Sequence, residues 1–540
     1  MLNTRVVLGL ALVSSVLTTG CSLEKLRSRK RGPSPSSSAV FVDPISSASS
    51  ADFVPPPAPS APTTLPLVQI EGTNAWGYPK SYVDKAGFRS LLLHSKFDEL
   101  DRYFAELQDA FEADPTKEYW PVDASESFAS TEAKLRPLFD AWADHSPSSF
   151  APYLARASHY LGVGYEIRGS KYVKDTPPAA LEGMRVMFAR AQPDIEKALA
   201  QRPRLVAAYR QRIRMDLAIG KDTRPTIEAA LRVCPSCFQV RVSHMVALEP
   251  KWGGSWVAMQ RFARSTARGQ KTPLDLLEGY VDVSRADEAL ASDVDASVRF
   301  AEKALARGEH WEFLTARARA RRARKEYALA EADLVRADEL RPMNAGVLRQ
   351  RAQVRADLNA WEAAGHDVAT LLSFAPEEAA SEKVATRVVE GLVYAGWQAH
   401  LQGRQADAVR LYDLAAKLDP SNIEVRRRRP WVIAGPDAGK APATDDELAT
   451  LEAAARAAPD DFDAQRAFDY ALARRGQYAR VIPVWDAYLA RHPDDTRAYV
   501  ERAGAQRHLG DLTRAFADVN RACELGSPEG CKYAKQLQPK

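Results

Sequence analysis

One spacing constrains this chain more than any other feature of it. Short Ala- and Leu-rich runs that stop at a proline recur along the 540 residues: "RADELRP" to Pro342, "LLSFAP" to Pro376, "AAKLDP" to Pro420, "ARAAP" to Pro459 and "LARHP" to Pro493. Pro342 and Pro376 lie 34 residues apart, as do Pro459 and Pro493. Proline lacks a backbone N–H and its ring clashes with the preceding turn, so each of these runs reads as a helix with a fixed stop. A fixed stop at a fixed period means a stacked repeat, because 540 residues are too many for one compact core.

The unit from Leu392 to Pro420 carries the pattern in most detail. Gly396 and Gly403 fall where two helices approach and turn, and Ala408, Tyr412 and Ala415 fall on the packed face. The last unit repeats it with Tyr499, Ala503, Gly510, Ala515, Val519, Ala522 and Leu525. A 34-residue period of paired amphipathic helices resembles the tetratricopeptide repeat. The fold class expected is therefore all-α, an α-α superhelical solenoid of tetratricopeptide-like helical hairpins. The period lapses at Glu377–Thr386, a helical extension or insertion. It lapses again at Arg426–Asp446, where Pro430 and a Gly/Pro cluster should break a helix.

The first seventy residues are of another kind. Arg5 precedes an apolar stretch, Val6–Leu17, too short to span a bilayer, and "TTGC" follows it. This resembles the signal peptide and lipobox of bacterial lipoproteins, although Thr18 stands where that family usually has Leu. The resemblance implies lipidation of Cys21 and, with Ser22 next, sorting to an outer membrane, facing the periplasm or the cell surface. The Ser-, Ala- and Pro-rich stretch behind Cys21 cannot bury enough apolar area to order itself, so a disordered Ser/Pro tether is expected. The domain reading is signal peptide 1–20, lipid-anchored linker 21–70 and helical domain 71–270. Tetratricopeptide-like repeats at 271–422, an irregular insertion at 423–446 and C-terminal repeats at 447–540 complete it.

The region upstream of the regular repeats contains "SSFAPYLARASHYLGVGYEIRGSKYVKDTP" and "ALEPKWGGSWVAMQRFA". Together these resemble an uncharacterised bacterial family of helical pairs, a domain of unknown function with a Trp-Gly-Gly-Ser motif. Two readings of that motif stand side by side. In one, Pro250 ends a helix, Gly253 and Gly254 turn the chain, and Ser255 caps the next helix. In the other, Arg168, Tyr172, Trp252 and Ser255 form a polar-aromatic ligand pocket.

Motifs that would carry chemistry are incomplete in this sequence. "GPDAGKA" lacks the spacing and the Ser/Thr of a phosphate loop. The nine histidines have no carboxylates at metal-ligand spacing, so neither metal nor cofactor is expected. "CPSC", Cys234–Cys237, ends a repeat helix instead of following a strand, which favours a local disulfide or two buried thiols over a redox site. "CELGSPEGC" resembles cysteine-rich cousins of the tetratricopeptide repeat, and that resemblance implies a Cys523–Cys531 disulfide. A helix end and the start of its antiparallel neighbour can bring two Cα atoms into range.

These features point to a non-enzymatic, lipid-anchored scaffold of the cell envelope that holds a protein or peptide in a helical groove. Groove positions on the first helix of each pair include Arg317, Arg321, Arg351, Arg355, Gln506 and His508, which suits an acidic partner. A net charge of +4 is too small to suggest nucleic acid. The alternative is an envelope hydrolase or thiol oxidoreductase centred on the N-terminal helical domain.

Overall fold

The computed structural model describes residues 62, 64–170, 173–266, 273–434 and 443–537. Cys21 and the signal and lipobox segment lie outside them. The chain divides into two compact units, one running through Val354 with Ser373–Glu378, the other made of Arg355–Leu372 and everything from Ala379 on. The division falls inside the helix Ala345–Asp357, within the stretch 271–422 expected as one array.

The N-terminal unit opens with a small antiparallel pair, Leu67–Val68 on Tyr82–Val83. Leu67 and Val68, expected within the tether, instead form a strand. Leu65 and Leu67 pack against the core of this unit, enough apolar contact to fix the backbone around them. Helices follow in antiparallel succession. Phe97–Ala113 and Ala151–Arg168 enclose a core of fully buried rings, Phe88, Phe104, Phe128, Phe139 and Trp142. Phe128 stands edge-on to Phe139 at 5.8 Å, the arrangement ring quadrupoles prefer. Regular hairpins come next, Leu277–Ala289 with Val294–Leu305 and Trp311–Ala323 with Tyr327–Leu340.

The repeat is visible in where helices begin. Those starting at Trp311 and Ala345 are 34 residues apart, as are those starting at Phe462 and Thr496 in the C-terminal unit. In that unit Val384–Leu401 pairs with Gln405–Leu418 around buried Ala408, Tyr412 and Ala415. A Cβ on Gly396 would lie 2.9 Å from the Tyr412 ring, so glycine is what lets these helices close. The chain is all-α, built of tetratricopeptide-like helical hairpins.

Residues 423–446 were expected to be irregular, yet Ile423–Ala434 is a helix that continues through Pro430. Asn422 starts it, accepting the Val425 N–H at 3.1 Å, and the helix packs on Gln405–Leu418 and Phe462–Arg474. One lost backbone bond at proline costs about 3 kcal/mol, which burial of a helix face offsets. The stretch expected as a helical extension or insertion, Glu377–Thr386, holds the short helix Pro376–Ala380 and a 3₁₀ turn, Ser381–Lys383, that leads into Val384–Leu401; Glu382 and Lys383 both have positive φ. Among the described residues no helix is long and apolar enough to cross a membrane.

Candidate functional site

The site builds up from a loop in the N-terminal unit. Between the two strands Asn74 folds the chain back, its side-chain oxygen accepting the N–H groups of Trp76 and Tyr78 at 2.9 and 3.1 Å. That turn projects two rings. Trp76 donates its indole N–H to the Glu309 carbonyl at 2.9 Å, and its ring lies against Gly308, where a Cβ would come within 2.2 Å. Tyr78 donates to buried Glu118, whose carboxylate also accepts the N–H groups of Phe238 and Gln239. Trp120 donates to the Ser81 carbonyl at 3.0 Å. Three distant pieces of chain are thus tied into one wall.

A cavity of about 50 Å³ lies behind that wall, lined by Trp76, Tyr119, Trp120, His310, Trp311 and Arg341 among others. One water needs about 10–15 Å³, so a small polar group fits. Arg341 is buried and makes two bonds to Asp123, while its guanidinium lies 4.1 Å from the Tyr119 ring centroid. Asp123 also faces Lys85 at 3.3 Å; Lys85 reaches Glu126 at 3.2 Å, and Glu126 binds Arg210. Three cations therefore share two carboxylates. Glu312 lies close by, and desolvation pushes its carboxyl up to about 7, so it is about half ionised at neutral pH.

His310 sits among Phe238, Tyr280 and Phe313, with ring centroids 5.2–5.8 Å away. Desolvation, and then the charge of Arg341, hold its imidazole at about 3, so the ring is neutral. Its Nδ1 accepts the Glu312 N–H at 3.3 Å, which leaves the proton on Nε2. That Nε2–H, the Trp311 indole N–H and the Arg341 Nε–H are all buried without a hydrogen-bond partner among the described residues. Buried donors are normally paired, and three unpaired ones on residues that line one cavity make it a candidate site for an acceptor. Of the hydroxyls in the lining, Ser81 is occupied with the backbone of Ile70 and Thr116 donates to Asp114.

The residues singled out in the sequence fare unevenly. Arg168 and Trp252 do meet, the guanidinium 5.5 Å from the ring, but Ser255 spends its hydroxyl on the Ala258 N–H as a helix cap. Pro250–Trp252 is a single 3₁₀ turn closed by Gly253 at φ +87°, and a Cβ on Gly254 would lie 2.1 Å from the Leu248 carbonyl oxygen. The segment is a helix–helix turn; Tyr172 lies outside the described residues. Cys234 and Cys237 are joined by a disulfide with Cα atoms 5.4 Å apart, and Cys523 and Cys531 by another at 4.4 Å.

The groove arginines are corrected. Arg317 and Arg321 both clamp buried Asp333 on the second helix of their pair, and Arg351 holds Asp338. In the C-terminal unit Arg355 holds Asp367 in the same way. Their side chains are 12–22% exposed, so Arg317, Arg321 and Arg355 staple hairpins internally and Arg351 ties one hairpin to the next, which leaves no open basic surface at these four positions. His508 stacks on Tyr478 at 4.3 Å, and Gln506 is buried. The cavity residues escaped sequence reasoning because their partners lie far off in the chain, Asp123 with Arg341 and Trp76 with Glu309. The faint signal was a cluster of aromatic residues, "NAWGY" and "EYWP", beside acids.

Residues 84–223 match the model of a family described as Domain of unknown function (DUF4034). No curated protein matches the chain. Among solved structures, a tetratricopeptide repeat protein from Parabacteroides merdae is 16% identical, covering 48% of this chain and 96% of its own, at a TM-score of 0.23. The P58(IPK) TPR domain is 18% identical over 75% of this chain and 93% of its own, at 0.20. Yeast Tom70 is 12% identical over 84% of this chain and 94% of its own, at 0.24. Superpositions that loose carry no functional argument, and the tetratricopeptide-like description rests on the chain's own hairpins and period.

Proposed function

We propose that this protein is a lipid-anchored interaction scaffold of the cell envelope, which holds a segment of a partner protein or peptide in the aromatic cavity of its N-terminal unit. The observation that carries the reading is the set of three unpartnered N–H donors among the rings of Trp76, Tyr119, Trp120 and Trp311. That chemistry grips a ligand without transforming it. The helical hairpins around it suit a binding role, since repeat proteins present extended surfaces to partners. Anchoring through Cys21, to an outer membrane, is supported by "TTGC" and Ser22. Two disulfides agree with an oxidising compartment.

Lys80 lines the cavity and is exposed, which makes it the place for a probe. With p-benzoylphenylalanine at position 80 in living cells, illumination is expected to link the chain to one defined protein, and Trp76→Ala is expected to abolish the link. A chain that cross-links to nothing, or equally well with Trp76→Ala, overturns the proposal.

A further inference from the structure

The chemical class of the group held in the cavity can be read from its lining. We infer that the cavity recognises a carboxylate carried on an aromatic or apolar stem, an inference that rests on the binding role just proposed.

The donors come first. His310 Nε2–H, Trp311 Nε1–H and Arg341 Nε–H have no acceptor among the described residues, so an occupant that brings acceptors and few donors of its own suits them. A carboxylate brings two oxygens with about four lone-pair sites and no N–H or O–H. An amine or guanidinium would add donors to donors and meet the cations of the cluster.

Charge points the same way. Lys85, Arg210 and Arg341 face Asp123 and Glu126, with half-ionised Glu312 beside them, so the cluster carries a small net positive charge. The remaining acids of the lining are accounted for. Both oxygens of Asp123 are bound by Arg341 and Lys85, and Glu309 is clamped by two nitrogens of Arg336 at 3.0 and 2.7 Å. Exposed Lys80 adds a further cation to the lining. A monoanion therefore suits the site better than a phosphate dianion, which would overshoot the charge beside Asp123 and Glu312.

Shape selects the stem. Trp76, Tyr119, Trp120 and Trp311 supply flat apolar walls, and the enclosed space of about 50 Å³ admits the carboxylate but not a large headgroup. Such a group has two sources, the C-terminal residue of a peptide or a free carboxylic acid.

The full chain is titrated by calorimetry with N-acetylphenylalaninate, with benzoate and with N-acetylphenylalanine amide. Both acids are expected to bind and the amide to bind at least tenfold more weakly. Tighter binding of acetylphenylalaninate marks a peptide C-terminus as the source, and tighter binding of benzoate a free acid. Trp311→Phe keeps a ring and deletes one donor, and is expected to weaken acetylphenylalaninate about tenfold while circular dichroism is unchanged. Should that exchange disturb folding, Lys80→Gln carries the test, with a roughly threefold loss that shrinks in high salt. Equal binding of acid and amide, or no heat with any probe at millimolar concentration, overturns the inference, as does a crystal soaked in acetylphenylalaninate with water alone on the three donors. If those results came together with a defined cross-link from position 80, the carboxylate would fall and the scaffold would stand.

Discussion

Asp469 offers a quantitative test of the C-terminal unit. It lies on the helix Phe462–Arg474, is buried, and accepts the Trp485 indole N–H at 2.7 Å beneath the next helix. Desolvation is the main cause that pushes its carboxyl up to about 7; Glu501 nearby adds to the rise and the Trp485 bond opposes it. An unfolded Asp titrates near 4, about three units lower, and each unit is worth about 1.4 kcal/mol. The folded chain therefore keeps a proton that the unfolded chain has shed. The associated stability is fully present below about pH 4, is lost as pH rises toward 7, and levels off above it. Between pH 5 and pH 8 the loss works out to about 2–3 kcal/mol. Asp469→Asn keeps an oxygen for Trp485 and cannot ionise. Relative to its behaviour at pH 5, the variant is expected to gain about 2–3 kcal/mol on the native chain at pH 8, roughly a hundredfold in amide protection. Hydrogen exchange with mass-spectrometric readout, on peptides covering Phe462–Arg474 and Tyr478–Leu489, measures this in the intact protein. A native-minus-variant difference that does not change between pH 5 and pH 8 would refute the reasoning.

Three further outcomes can be checked with the same full-length protein. Arg502 clamps buried Asp518 through two bonds at 2.8 and 2.7 Å; Arg502→Leu is expected to cost about 3 kcal/mol by stranding that carboxylate, and adding Asp518→Asn should restore more than half in urea unfolding. Gly254→Ala pushes a Cβ onto the Leu248 carbonyl and should lower stability by about 2 kcal/mol, so an unchanged melting temperature would contradict the tight turn. The Cys523–Cys531 bond closes a short loop at the last helix, Pro528–Leu537. Cys523→Ser is expected to remove about 2–3 kcal/mol and to speed exchange in that helix, and non-reducing peptide mapping that finds Cys531 free would contradict the bond.

How much could be read in advance depended on the distance over which residues act. The hairpins were legible because Pro342, Pro376, Pro459 and Pro493 stop helices locally and the packed positions Ala408, Tyr412 and Ala415 keep helical spacing. The turn at "PKWGGS" was legible as one of two readings for the same reason. The helix through Pro430 was not, since local propensity argues against it and tertiary packing outweighs that preference. The staples were half-visible: Arg317, Arg321 and Asp333 recur 34 residues on as Arg351, Arg355 and Asp367. Composition shows an arginine and an acid but not which helix face each occupies, so pairing within and between hairpins was mistaken for an open basic surface. The cavity lay beyond local reading altogether. Asp123 and Arg341 are 218 residues apart in the chain, and Trp76 and the Glu309 carbonyl 233.

The central claim is that the N-terminal unit holds a partner through its aromatic cavity, and native mass spectrometry of protein released from membranes in mild detergent tests it most directly. The account predicts a complex of fixed stoichiometry, lipid-modified at Cys21, that Trp76→Ala reduces to the chain alone. A native chain that flies alone, or a complex that survives Trp76→Ala unchanged, would contradict it.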